Sequence, residues 1–209
     1  MVASEESKTQ VDFESLRFAH FQPQAIECMT MSSDKKLLAV ARENNSIEIW
    51  LRHSWVQLFV IPGNQNCAIR NIHWLEKAPV RANAALEEDN PLYVGGEPRR
   101  LLTTGLNGVV IEWDLLTHCA KAKNSVNAAI WCSKIVGKNL YVACEDGSIK
   151  TLKVKKESIE LARQGMRAES KCLSLEVSAD QKFVYGGYED SSIRKWNLDT
   201  LHCELHFVK

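Results

Sequence analysis

The sequence predicts an all-β chain built on one repeated four-stranded unit, and three observations carry that prediction. The stretch from 101 to 115, LLTTGLNGVVIEWDL, reads as two short strands joined by a tight turn and closed by Trp113-Asp114. The same frame recurs as LLAVARENNSIEIWL from 37, LYVACEDGSIKTLKV from 140 and FVYGGYEDSSIRKWNL from 183. Self-similarity of this kind fixes an architecture before any local assignment does. The spacings from turn to turn are 63, 39 and 44 residues, and with one insertion discounted they match the roughly 40 to 45 residues of a propeller blade.

Each column of the repeat has a physical reading. Asn44-Asn45, Asn107-Gly108, Asp146-Gly147 and Asp190-Ser191 fill the turn, with side chains that bond nearby backbone or tolerate a left-handed backbone. Six residues past the first member of each pair stand Trp50, Trp113, Leu152 and Trp196, bulky groups that can wedge between neighbouring sheets. Ala41, Gly105, Cys144 and Gly187, just ahead of the turns, suit a strand passing close to its neighbour. The pattern resembles the WD repeat, whose Trp-Asp ending stands as Trp113-Asp114 and is softened to Trp196-Asn197.

Taken in order, residues 1–15 form a polar, acidic leader expected to be disordered. Leu16 to Phe21 alternates apolar and polar side chains before Pro23, as a strand does. In closed propellers such a leading strand supplies the outer strand of the last blade. Residues 16–209 are then expected to form blades over about 25–62, 68–123, 129–164 and 172–208. A surface loop is expected over 76–100, where Pro79, Pro91, Gly95-Gly96 and Pro98 discourage regular structure. Four blades imply an open or truncated arc of a WD-repeat β-propeller of about seven blades, since propellers protect their sheets by closing the ring. If each end face bares on the order of 600 Å² of apolar surface, about 15 kcal/mol of burial per face is forgone at about 25 cal/mol/Å². That deficit predicts either that the chain is part of a longer product or that a partner completes the ring.

Composition excludes several functions. Twenty-six Lys and Arg balance 26 Asp and Glu, so no global field draws the chain to nucleic acid or anionic membrane. The start carries neither a secretory signal nor a mitochondrial presequence, and no apolar run approaches the roughly 20 residues of a membrane helix. Seven cysteines without CxxC spacing argue against a zinc ribbon or a thioredoxin site. Cys28, Cys132 and Cys172 fall in first strands and read as core fillers, implying a reducing compartment. His118-Cys119 and His202-Cys203 point to opposite strand faces and make poor chelates. Glu145-Asp146 and Glu189-Asp190 recur at the same turn, so they read as turn residues and not as a catalytic pair. No phosphate loop, GxSxG elbow or HExxH stands in the sequence. The expectation is therefore no catalytic residues, no metal and no cofactor.

One stretch could meet RNA or a partner: Lys150, Lys153, Lys155, Lys156, Arg163, Arg167 and Lys171, because phosphate contact needs only clustered cations. A solvated sheet edge, its lysines discouraging aggregation, explains the same residues. FQPQAIECM, LNGVVIEWDL, AAIWCSKI and VACEDGSIK, in that order, resemble the amino-terminal propeller of cirhin-type WD-repeat proteins of the small-subunit processome, from about Leu16 to the end of the fourth repeat. That resemblance implies a nucleolar, non-catalytic scaffold supporting precursor ribosomal RNA processing, 18S rRNA maturation and rDNA transcription. Its implied partners are other processome WD-repeat proteins and precursor ribosomal RNA, with no membrane and no small-molecule substrate. Members of the family carry two consecutive propellers and a helical tail. The competing reading is an unrelated WD-repeat adaptor, such as a ubiquitin-ligase substrate receptor or a cytoplasmic signalling scaffold.

Overall fold

The computed structural model describes residues 24–63, 68–75, 90–94 and 97–208. The leader 1–15, the strand expected at 16–21 and residues 76–89 of the expected loop lie outside the described residues. Four antiparallel sheets of four strands follow one another along the chain. Blade 1 is β1 (Ile26–Met31), β2 (Leu37–Arg42), β3 (Ile47–Leu51) and β4 (Val56–Ile61), in that spatial order. In blade 2, β5 (Ile69–Trp74) pairs with β8 (Arg100–Gly105), then β9 (Val109–Asp114) and β10 (Cys119–Ser125), while a separate hairpin joins β6 (Tyr93–Val94) to β7 (Glu97–Pro98). Blade 3 is β11 (Ile130–Val136), β12 (Asn139–Cys144), β13 (Ser148–Val154) and β14 (Ile159–Arg167). Blade 4 is β15 (Cys172–Val177), β16 (Phe183–Tyr188), β17 (Ser192–Asn197) and β18 (Cys203–Val208). The outer strands of blades 2 and 3 thus run to Ser125 and Arg167, past the expected ends at 123 and 164. First strands of successive blades touch, β1 on β5, β5 on β11 and β11 on β15, so they form the inner rim of an arc. This is a partial WD-repeat propeller.

The same turn is built four times. The second residue of each pair takes a left-handed backbone, with φ of 65° at Asn45, 73° at Gly108, 78° at Gly147 and 66° at Ser191. Its N–H donates to the carbonyl three residues back, at Arg42, Gly105, Cys144 and Tyr188. The first residue's Oδ1 accepts from the amide two residues on: Ser46 to Asn44 at 3.0 Å, Val109 to Asn107 at 3.1 Å, Ser148 to Asp146 at 3.0 Å and Ser192 to Asp190 at 3.0 Å. Hence Asx at the first place, and Gly or a short polar residue at the second. A second device repeats in blades 1 and 4. The hydroxyls of Ser32 and Ser178 donate to Asp34 and Asp180 and accept from the amides of Leu37 and Phe183.

Three apolar clusters lie between the four blades. The first joins Ile47, Ile49 and Ile61 of blade 1 to Ile72, Trp74, Ile111 and Trp113 of blade 2. The second joins Leu102 and Val110 to Leu140, Val142 and Leu152, and the third joins Tyr141, Ile149 and Met166 to Leu175, Val184 and Trp196. Trp113, Leu152 and Trp196 therefore wedge against the preceding blade. Trp50, in the same column of blade 1, is only half-buried and donates its indole N–H to Glu48 at 3.0 Å.

The loop expected over 76–100 is corrected at its C-terminal end. Residues 90–94 and 97–100 are ordered around the β6–β7 hairpin. Arg99 is buried beneath it, donates Nε to the Pro91 carbonyl at 2.8 Å and forms an ion pair with Asp34 of blade 1. A buried guanidinium needs such a partner, and it pins the insertion to the β1–β2 turn. Burial works to raise the Asp34 carboxyl, but the Ser32 hydroxyl and Arg99 outweigh it and hold the group below the usual carboxylate range.

Two glycines with similar backbone test the turn geometry. A Cβ on Gly147 would sit 2.2 Å from the Ala168 carbonyl oxygen, whereas one on Gly137, at φ 61°, would meet nothing within 4 Å. Gly137→Ala is expected to cost about 1 to 2 kcal/mol from backbone conformation alone. Gly147→Ala should cost clearly more in urea denaturation; equal losses would refute the clash.

Candidate interaction surface

The basic stretch does not form one patch. Lys150 is a correction: it is buried, its ammonium donating to the Val126 carbonyl at 2.7 Å and lying 3.3 Å from Asp146, so it holds blade 3 to blade 2 and cannot meet a ligand. A lysine so deep must spend its charge on internal partners. Arg163 reaches across to the Leu198 carbonyl at 2.6 Å. Arg167 donates to the Asp146 carbonyl at 3.2 Å, and Lys171 lies 3.4 Å from Glu145 and 3.9 Å from Glu189. These last two sit at the β12–β13 turn end of the blade. Lys153, Lys155 and Lys156 sit at the other end of β14, a nine-residue strand that spans roughly 30 Å at about 3.3 Å per residue.

Around that far end the structure adds two cations from blade 2. Arg100 donates to the Lys155 carbonyl at 2.5 Å, and Lys121 donates to the Lys156 carbonyl at 3.1 Å. Both face Glu112, which is fully buried: Arg100 grips it with two bonds of 2.6 and 2.7 Å, and Lys121 lies 3.8 Å away. Lys155 pairs with Glu160 at 2.6 Å, while the exposed Lys156 lies 3.9 Å from Glu97. The accessible cations are therefore Lys153, Lys155 and Lys156, backed by Arg100 and Lys121. Sequence position could not group the last two, because blade packing and not chain proximity brings them there.

A second set was missed altogether. Each first strand carries a one-residue bulge at the same place, and the extra residues are Glu27, Arg70, Trp131 and Leu173. A bulge re-aims a side chain, here on the inner rim. Glu27 pairs with Arg70 at 2.9 Å, and the Arg70 guanidinium lies 5.8 Å from the centre of the Trp131 ring. The only trace in sequence is a slip in the two-residue alternation at each bulge.

One constellation resembles chemistry. His73 Nε2 lies 2.8 Å from Ser133 Oγ, which lies 2.9 Å from Thr104 Oγ1. These bonds join β5 and β8 to β11 across the blade 2–blade 3 junction. Burial, with the Lys134 charge behind it, pushes His73 down to about 4. The cleft beside it, lined by Thr30, Met31, Ser33, Trp74 and Ile135, is about 190 Å³, less than the roughly 300 Å³ at which ligand pockets begin. The trio is a structural bridge. Burial pushes the thiols of Cys28 and Cys172 up to about 12 and Cys144 up to about 11, which keeps them unreactive at neutral pH. Among the described residues no group of three His, Cys, Asp or Glu could hold a metal ion.

The fold and this surface define a WD-repeat interaction module: an arc of blades offering rims, edges and end faces. No family model matches the chain. It is similar to U3 small nucleolar RNA-associated protein 4 of Saccharomyces cerevisiae, 30% identical over 212 residues, covering 92% of this chain and 25% of the relative. It is also similar to the U3 small nucleolar RNA-associated protein 4 homologs of Mus musculus, 29% over 201 residues (90% of this chain, 26% of the relative), and of Homo sapiens, 29% over 164 residues (77% and 21%). The chain spans about a quarter of the length of the relatives it matches.

Two measurements test the site's electrostatics. Arg100→Ala leaves buried Glu112 facing Lys121 at 3.8 Å and is expected to destabilise the fold by about 3 to 5 kcal/mol, read from urea midpoints. For His73, the folded group stays neutral until about pH 4 while the unfolded group takes a proton near 6.5. Stability should therefore fall by up to about 3 kcal/mol as pH drops through that window, and His73→Gln should flatten the fall. An unchanged profile would refute the burial effect.

Proposed function

We propose that this chain is a non-catalytic scaffold segment of the nucleolar small-subunit processome, serving precursor ribosomal RNA processing and 18S rRNA maturation, with a supporting role in rDNA transcription. The observation that carries this reading is similarity across nine-tenths of the chain to U3 small nucleolar RNA-associated proteins of yeast and mouse. A blade arc suits the task, since rims and edges bind by surface complementarity without bond-making. Its partners on this reading are other WD-repeat proteins of the complex and precursor ribosomal RNA, and its place is the nucleus and nucleolus. RNA backbone would meet Lys153, Lys155 and Lys156 first. Arg163, Arg167 and Lys171 are held by the Leu198 carbonyl, the Asp146 carbonyl and Glu145, away from the lysine group, and fit partner or structural roles better.

A tagged chain is expected to concentrate in nucleoli and to co-purify U3 RNA, and depletion is expected to lower small-subunit rRNA while sparing the large subunit. Diffuse cytosolic protein with unchanged rRNA would favour the unrelated adaptor instead. Reversing Lys153, Lys155 and Lys156 to Glu should reduce RNA crosslinking several-fold; intact crosslinking would return those lysines to the role of a solvated edge.

A further inference from the structure

Asn107-Gly108 is the one Asn-Gly step in the sequence. Asparagine before glycine is especially prone to lose its side-chain amide in water, because no side chain shields the backbone nitrogen that follows. In that reaction the Gly108 nitrogen gives its proton to solvent and bonds to the Asn107 Cγ. The Cγ–Nδ2 bond breaks, ammonia leaves and a cyclic imide closes. Water then opens the imide at either carbonyl. One product is aspartate at position 107, and the other is isoaspartate, with the main chain routed through the side-chain carboxyl.

The closed turn opposes that step at three points. The Gly108 N–H donates to the Gly105 carbonyl at 3.0 Å, so the nucleophile keeps its proton. The Asn107 Oδ1 accepts from the Val109 amide at 3.1 Å, which turns the side chain toward the next nitrogen along and not the attacking one. Asn107 is exposed, yet Gly108 beside it is buried, because the connection into blade 3 covers it. A Cβ added to Gly108, at φ 73°, would lie 2.6 Å from the Ala128 carbonyl oxygen, and the Gly108 carbonyl accepts from the Val126 amide at 2.9 Å. The Lys150 ammonium of blade 3 donates in turn to the Val126 carbonyl at 2.7 Å. What pins Gly108 from outside its own hairpin is therefore the seat of blade 3 on blade 2, an interior junction of the arc.

We infer that Asn107 is a deamidation site that the blade 2–blade 3 junction keeps shut, so that loss of its amide records opening of that junction. A native chain reacts there only during the fraction of time in which its local structure is open. The two products then part company. Aspartate at 107 restores the Asp-Gly pair that blade 3 uses at Asp146-Gly147, where Oδ1 accepts from the Ser148 amide at 3.0 Å. Isoaspartate adds a main-chain methylene one residue before Gly108 and displaces the carbonyl that receives Val126. The first product can close again; the second leaves blade 3 without its seat. None of this chemistry rests on the proposed role in ribosome assembly.

Peptide mass spectrometry of the full 209-residue chain, held in mildly alkaline buffer with and without urea, tests this. Amide loss at Asn107 is expected to be at least about tenfold slower in the native chain than in urea. Leu152→Ala, which empties the blade 3 wedge against blade 2, should raise the native rate several-fold and leave the rate in urea unchanged. Leu175→Ala, at the blade 3–blade 4 junction, should raise it less. Asn107→Asp should keep the wild-type melting curve, while chains carrying isoaspartate there, refolded from urea, should not regain it. The comparison of buffer with urea uses the wild-type chain and stands whichever variant folds. Equal rates in buffer and urea, an equal response to the two leucine variants, a destabilised Asn107→Asp chain or full recovery of the isoaspartate chain would overturn the inference.

Discussion

Every blade depends on having its two sheet faces covered. A four-stranded sheet of this kind has no helix to lean on among the described residues, so its apolar side chains can leave water only against another sheet. The consequence is visible in β3, where alternate residues divide between neighbours. Ile47 and Ile49 go to blade 2, while Glu48 and Trp50 turn the other way, and this division repeats blade by blade. Fully buried Leu37, Leu101, Leu140 and Leu152 owe their burial to adjacent blades as much as to their own strand partners. The local hydrophobic pattern thus encodes an assembly of sheets and not an isolated one.

The turns add direction to that packing. The first three Asx-containing turns contact the segment that leads into the next blade. The Asn45 side chain accepts from the Ile69 amide at 3.0 Å, the Gly108 carbonyl from the Val126 amide and the Gly147 carbonyl from the Ala168 amide, both at 2.9 Å. A left-handed residue at the second turn position brings its carbonyl to the point where the chain crosses over. The same four-residue device therefore closes a hairpin and sets the step to the following blade. This double duty explains why the turn chemistry persists while the Trp-Asp ending decays.

Period and turn chemistry made the architecture legible in the sequence, because both are local. Blade number, strand order and the turn positions all follow from a motif of about fifteen residues that recurs at turn-to-turn spacings of 63, 39 and 44. What escaped is what depends on distant pairs. Arg99 looked like loop because its partner Asp34 lies 65 residues away, and Lys150 looked like surface because its burial and its bond to the Val126 carbonyl come only once blade 3 has packed on blade 2. The inner-rim bulges escaped for a different reason. One extra residue per strand leaves composition unchanged and shows only in register. In the candidate surface, three of seven expected cations remain accessible at one place, while Arg100 and Lys121 join them from another blade.

Charge is largely consumed internally, and this shapes what the surface can do. Arg42 serves Glu48, Arg100 serves Glu112, Arg194 serves Asp190 and Lys134 serves Glu176. With net charge zero, no long-range field steers partners to the arc. Recognition then has to rest on short-range fit. The features offering it are the small lysine group at the blade 2–blade 3 end, the Glu27–Arg70–Trp131 run on the inner rim, and the two apolar end faces. Among the described residues the end faces expose Met29, Ile193 and Phe207, so whatever covers them acts on the stability of the arc as well as on its company.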